Sequence, residues 1–220
     1  VLQYEETDWD FLKRLAGRSH QFLVPDSRMK GVRIYYSIPQ GMAFEIPAGS
    51  RYTIRKDLGG YRNKICQGMA VSEADCMEYI IQCREPHRIG DYASLYGMKC
   101  YIFKIQSRYE GGELLHCCYL KREKGIEVPE ICNKEMAGCA LDARITKVKE
   151  DKVQVSLLGD ENAHQTINIW YPYATVYSTP DGTGWYCMPE PGDMVRLTIP
   201  QHQERDAFVV RNCRKITDAS

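Results

Sequence analysis

The sequence predicts a mainly β chain with one or two short helices, with a larger β-rich part followed by a small β-barrel. Three observations predict it. From Gly31 onward, apolar and polar residues alternate with period two, as on a half-buried strand. Turn signals separate the runs, at Glu110-Gly111-Gly112, Glu150-Asp151 and Pro191-Gly192. One early stretch, "TDWDFLKRLAG", carries apolar residues at helical spacing.

The helix comes first. Thr7 is its N-cap, and Asp8 and Asp10 sit in the first turn, where the helix end is positive. Trp9, Phe11, Leu12 and Leu15 recur at three- and four-residue steps, and Gly17 closes the element. Such a stripe suits core packing first and an interface second. "FLV" before Pro25-Asp26 is a hydrophobic exit. "GVRIYYSIP" then alternates up to Pro39, and "RYTIRKD" alternates through Tyr52 and Ile54. "DCMEYIIQCR" reads as a strand, because Tyr79, Ile80 and Ile81 are β-formers. A short helix capped by Ser72 is its alternative. Residues 99–109 and 113–121 form a hairpin about the two glycines.

Between Glu127 and Gly138 the pattern loosens around Pro129 and Asn133, which divides the chain into 1–138 and 139–220. The second part holds two alternating strands, 143–149 and 152–158, which meet at Glu150 and Asp151. "TINIWYPYATVYS" is a third strand. "PDGTGWYCMPEPGDMVRLTIP" is a turn-rich loop leading into a fourth, and "DAFVVRNC" is a fifth. Five short strands in about 75 residues suit a small barrel of the oligonucleotide/oligosaccharide-binding (OB) type. In "PEPGDMV", Pro191 presets φ and Gly192 frees the backbone, so the stretch reads as a turn.

Composition narrows the function classes. Lys plus Arg equals Asp plus Glu, 29 each, so no global field draws the chain to nucleic acid or membrane. No apolar run approaches the roughly 18 residues that span a bilayer, so no stable membrane anchor is expected. The ten cysteines show neither C-x-x-C nor zinc-ligand spacing, and several lie inside strand patterns such as "KCYIFKI" and "HCCYL". They read as reduced, structural thiols of a cytoplasmic protein. The five histidines are scattered, and H-E-x-x-H, G-x-S-x-G and the P-loop are absent. His116 and Cys118 share one strand face and Cys117 takes the other, which makes a weak case for a thiol nucleophile. No catalytic, cofactor or metal residue is nominated, and the expectation is a protein that is not an enzyme. Tyr171, Tyr173, Trp185 and Tyr186 would offer nucleic acid stacking surfaces, but Asp181, Glu190 and Asp193 lie among them instead of a basic groove. "KREK" at 121–124 reads as a solvated strand end.

Two stretches resemble one family. "QYEETDWDFLKRLA", through Gln3, Tyr4, Glu6, Thr7, Asp8, Asp10, Phe11, Leu12, Arg14, Leu15 and Ala16, is similar to the Q-Y-x-E-T-D-x-D-F-L-x-R-L-A segment of the VgrG and late-control-D proteins. Trp170, Gly184-Trp185, Pro189-x-x-Gly192-Asp193-x-Val195 and the final strand follow the order of motifs in that family's OB domain. Arg211 or Asn212 stands where the family has glycine. "IGD" at 89–91 adds a smaller likeness. The resemblance implies a hub-type β-barrel portion, incomplete at its N-terminus, followed by a small OB-fold-like β-barrel. It implies a baseplate hub or spike base of a contractile phage tail or type VI secretion apparatus. Such a protein adapts a six-fold tube to a three-fold spike. It would be a homotrimer whose partners are tail tube, baseplate, and spike tip or effector. It would reside in the bacterial cytoplasm during assembly and then in the particle. Tyr4, Glu6, Asp8, Phe11, Leu12, Leu15, Trp170, Trp185, Pro189, Gly192 and Asp193 carry the motif and are the candidate assembly residues. Exposed aromatics such as Tyr171, Tyr173 and Tyr177 would suit ring contacts.

Overall fold

The computed structural model describes residues 1–26, 30–47, 49–160, 168–174 and 188–211. Its described part is mainly β, with twelve strands and three α-helices. Two compact units divide it: Thr7–Ile131, here the first unit, and Val1–Glu6 with the chain from Cys132, here the second. The change-over thus falls at 131/132, and the first six residues go with the second unit.

In the first unit, helix α1 (Asp8–Gly17) starts on Thr7, whose Oγ accepts from the Asp10 amide at 3.1 Å and donates to the Asp10 carboxylate at 2.6 Å. Strands β1 (Leu23–Pro25) and β2 (Ile34–Tyr36) pair as a two-stranded ribbon. A five-stranded antiparallel sheet follows. It runs β3 (Tyr52–Lys56), β4 (Met77–Cys83), β7 (Glu113–Lys121), β6 (Met98–Glu110), β5 (Tyr92–Leu95) in space. "MEYIIQC" is therefore strand, and Ser72 caps only the turn to Asp75. Glu110 pairs with Glu113, so the loop is Gly111-Gly112, both at positive φ, as a primed two-residue hairpin requires. Tyr79, Ile81, Cys100, Ile102, Cys118 and Leu120 form this unit's core.

The expectation of one or two helices is corrected to three. Helix α2 (Leu58–Cys66) contains Gly59 and Gly60, which weaken a helix by about 1 kcal/mol each, so the sequence hides it. Its cap explains one of them. The Asp57 carboxylate accepts from the Gly60 amide at 2.9 Å, and a Cβ at Gly60 would lie 2.4 Å from that carboxylate. Buried Lys64 then ties the helix to the Gly125 carbonyl at 2.6 Å. The third helix is one turn, α3 (Glu123–Ile126). It also corrects the solvated reading of "KREK": Lys121 is buried against the Phe103 ring and Arg122 is half-buried beside Asp75.

In the second unit a five-stranded sheet has the order β10 (Tyr171–Pro172), β9 (Lys152–Leu157), β8 (Cys139–Lys149), β11 (Met194–Ile199), β12 (Phe208–Arg211). A parallel bridge from Tyr173 to Val209 joins the two ends, so the sheet is nearly closed, like a barrel. Alternation on β11 sends Val195, Leu197 and Ile199 inward, where they meet Ala143, Ile145, Val153 and Val209.

Candidate functional site

The candidate residues of the second unit form a turn. In Glu190-Pro191-Gly192-Asp193 the Asp193 amide donates to the Glu190 carbonyl at 3.1 Å, and the Asp193 carboxylate accepts from the Glu190 amide at 2.9 Å. Gly192 has φ +102°, which a type II turn needs at its third position. The turn is stitched to β8: the Gly192 amide donates to the Ile145 carbonyl (2.8 Å), and the Ile145 amide to the Asp193 carbonyl (3.0 Å). Gly192 and Asp193 are exposed, Pro189 half-exposed and Val195 buried. The motif launches β11, as the turn reading expects. Trp170 lies half-buried just before β10, while Trp185, Tyr177, Tyr186 and Asp181 lie outside the described residues.

Tyr4 belongs to this unit. It packs on the second unit's core, and its carbonyl accepts from the Asn133 side-chain amide at 2.6 Å. Glu6 is half-buried, and its carbonyl accepts from the Gln3 side chain at 3.3 Å. The expectation of exposed tyrosines is corrected. Tyr173 is buried in the core, because its strand meets β12 where the sheet closes, and Tyr171 packs against the same core. Burial pushes the Tyr171 hydroxyl up from its ordinary range.

The first unit presents apolar surface outward. On α1, the buried residues are Arg14, Ala16 and Gly17. Phe11 and Leu15 are half-buried, with the Arg14 guanidinium over the Phe11 ring. Trp9 and Leu12 are each 38% exposed, one turn apart on the helix surface, and Asp8 is exposed beside them. The stripe is thus only half used for packing within the chain. The ribbon adds Ile34, Tyr35 and Tyr36, all exposed, and Val32 at 94%. Strand β3 lies at the edge of its sheet with every residue exposed, Tyr52 and Ile54 included. The opposite edge differs: residues 42–44 cover β5, through Tyr92 to Met42 and Phe44 to Tyr92 backbone bonds, each 3.0 Å.

A cleft of about 470 Å³ lies in the first unit, lined by Val24, Asp26, Tyr35, Gly41, His87 and Asp91 among others. Its carboxylates already serve the fold. Asp91 accepts from the Met42 amide at 2.9 Å and the Arg88 amide at 2.8 Å, and Asp26 accepts from the Tyr35 hydroxyl at 3.1 Å. "IGD" is therefore a second structural turn. Three of the four described histidines are also engaged. The His20 ring meets the Val128 carbonyl at 3.1 Å, His87 stacks on Phe44 at 4.2 Å, and His116 meets the Ser107 hydroxyl at 2.7 Å. Burial pushes the Cys118 thiol far above its ordinary value, so it stays protonated at neutral pH, the opposite of an activated nucleophile. Among the described residues no group of three His, Cys, Asp or Glu side chains is placed to hold a metal, and no helix is long and apolar enough to cross a membrane. The eight described cysteines are free.

No protein-family model and no curated protein matches this chain.

Sequence reasoning found the Pro191-Gly192 turn and the helix cap, but took "IGD" only as a likeness and not as a turn. It missed the β3 edge as a surface, for which the signal was available: "RYTIRKD" puts Arg51, Thr53 and Arg55 on one face and Tyr52 and Ile54 on the other.

Proposed function

We propose that the chain is a structural assembly protein: a baseplate hub or spike-base component of a contractile phage tail or phage-tail-like injection apparatus. The observation that carries this reading is the outward apolar surface of the first unit, Trp9 and Leu12 on α1 together with the open β3 edge. Among the described residues β3 has a neighbour on one side only, and such an edge is a template for pairing with another chain. The similarity of "QYEETDWDFLKRLA" to the VgrG and late-control-D segment supports the same reading, because Trp9 and Leu12 fall inside it. We take the first unit as hub-type and the second as an OB-type barrel. The strand order β10-β9-β8-β11-β12 with a parallel closure supports the second assignment.

A homotrimer follows from the family likeness, with heterologous contacts around a ring. Light scattering on the full chain tests it. The expected mass is three times the 25.3 kDa chain, falling to one when Trp9→Ser and Leu12→Ser are combined. The runner-up is an OB-type binding module for nucleic acid or glycan, favoured by the barrel topology alone. It loses two of its stacking aromatics, because Tyr171 and Tyr173 are packed on the core. A chain that stays monomeric at every concentration and binds single-stranded DNA with steep salt dependence would replace the assembly reading with this one.

A further inference from the structure

We propose that Cys83 and Cys118 are a two-thiol modification site, which closes to a cross-strand disulfide by exchange with a small-molecule disulfide such as oxidised glutathione. The two sulfurs lie 3.7 Å apart. They sit on neighbouring antiparallel strands, with Ile81 opposite Cys118 and Cys83 opposite His116, so they are diagonal neighbours on one sheet face. Closing the bond brings the sulfurs about 1.7 Å nearer; diagonal neighbours stand about 7–8 Å apart, at the limit of a disulfide's reach, so β4 and β7 must also draw slightly together. Cys83 is half-exposed at the strand end, whereas Cys118 is fully buried beneath it. Cys83 is also held in place, its sulfur 3.5 Å from the Glu85 carbonyl and 3.6 Å from the His116 carbonyl. Cys117 faces away on the other side of the sheet. The pair therefore has an outer thiol that a reagent can reach and an inner thiol that only its neighbour can reach.

The exchange runs in two steps. Cys83 gives its proton to solvent, and its thiolate attacks one sulfur of the small disulfide, forming a mixed disulfide and expelling one thiolate, which takes up a proton from solvent. The Cys118 sulfur then attacks the Cys83 sulfur, and its proton passes to the second thiolate as that thiolate leaves. Two protein thiols are oxidised and one small disulfide is reduced to two thiols. Burial raises both protein thiols above their ordinary values, so exchange is slow. A diagonal bridge is also strained, and strained disulfides are the readily reduced ones. The site is therefore a reversible one. When closed, it ties the last residue of β4 to β7 covalently. None of this depends on the assembly reading.

The test treats the full native chain with oxidised glutathione, blocks remaining thiols under denaturing conditions, and maps the peptides by mass. Exposed Cys66 and Cys132 report that the reagent has acted. The expected result is a linked Cys83–Cys118 peptide pair in most chains, reversed by dithiothreitol. Cys118→Ala should instead retain glutathione on Cys83, and Cys83→Ser should leave Cys118 free and unmodified. The inference is overturned if wild-type Cys83 keeps glutathione, if either cysteine pairs elsewhere, or if both remain free thiols while Cys66 and Cys132 have reacted. The wild-type map decides the matter even where a variant fails to fold.

Discussion

Arg88-Ile89-Gly90-Asp91 in the first unit and Glu190-Pro191-Gly192-Asp193 in the second are the same turn in two settings. In both, glycine takes a φ near +100° at the third position, +97° and +102°. In both, the aspartate carboxylate accepts from the amide three residues back, at 2.8 and 2.9 Å. In both, the glycine amide donates to an isoleucine carbonyl on the next strand, and that isoleucine's amide donates back to the aspartate carbonyl. Those isoleucines, Ile102 and Ile145, each stand where the strand register shifts. The surroundings differ. Gly192 has open space where a Cβ would go, while a Cβ on Gly90 would lie 2.2 Å from the Pro39 carbonyl oxygen. Asp91 carries a second amide, that of Met42, and is buried; Asp193 is exposed. The local sequence sets the turn, and the crossing segment 39–42 decides how much stability rests on it.

The largest effect expected from this contrast is at glycine. Gly90→Ala should destabilise the first unit by about 3 kcal/mol or more, since it adds a backbone clash to the left-handed strain, whereas Gly192→Ala should cost about 1 kcal/mol from strain alone. Hydrogen exchange on β5–β6 and on β8–β11 reads each unit separately, because a chain of two units has no single unfolding free energy. Similar losses in both would break the comparison. Next, Asp91→Ala strands two amides at a buried site and should cost about 2–4 kcal/mol, against about 1 kcal/mol for Asp193→Ala; the same exchange experiment checks both.

A smaller effect concerns acid. The Gly60 amide, opposed by burial and aided by Lys121, holds the Asp57 carboxylate below its ordinary value. The folded state therefore gains stability from Asp57 above the unfolded pKa of about 4, and loses it as pH falls through the lower folded value. Asp57→Asn should flatten the acid limb of the first unit's unfolding curve below about pH 4, while neutral stability falls by only about a few tenths of a kcal/mol, because Asn caps a helix about as well as Asp and a half-exposed pair with Lys121 is worth little. An unchanged acid limb would mean that the cap carries no charge-dependent stability.

Much of this was legible in the residues. Thr7 and Asp10 announce the helix cap, the two glycines fix the 111–112 loop, and Pro191-Gly192 marks the second unit's turn, because these features act over a few residues. What was not legible depends on distant partners. Helix α2 forms despite Gly59-Gly60 because Asp57 and Gly125 hold it. Lys121 is buried because Phe103 and Asp57 come to it. Tyr173 is core because the sheet closes on Val209. The assembly surface falls between these cases. The stripe Trp9, Phe11, Leu12, Leu15 is plain in the sequence, but only the fold shows that Trp9 and Leu12 stay outside.

The measurement that bears most directly on assembly is amide exchange of the native chain at low and high protein concentration. If the first unit docks through α1 and β3, protection should rise with concentration across Tyr52–Lys56 and Asp8–Gly17, by about tenfold or more, while β8–β12 stay unchanged. Exchange at β3 and α1 that is indifferent to concentration, in a chain that remains folded, would contradict the account.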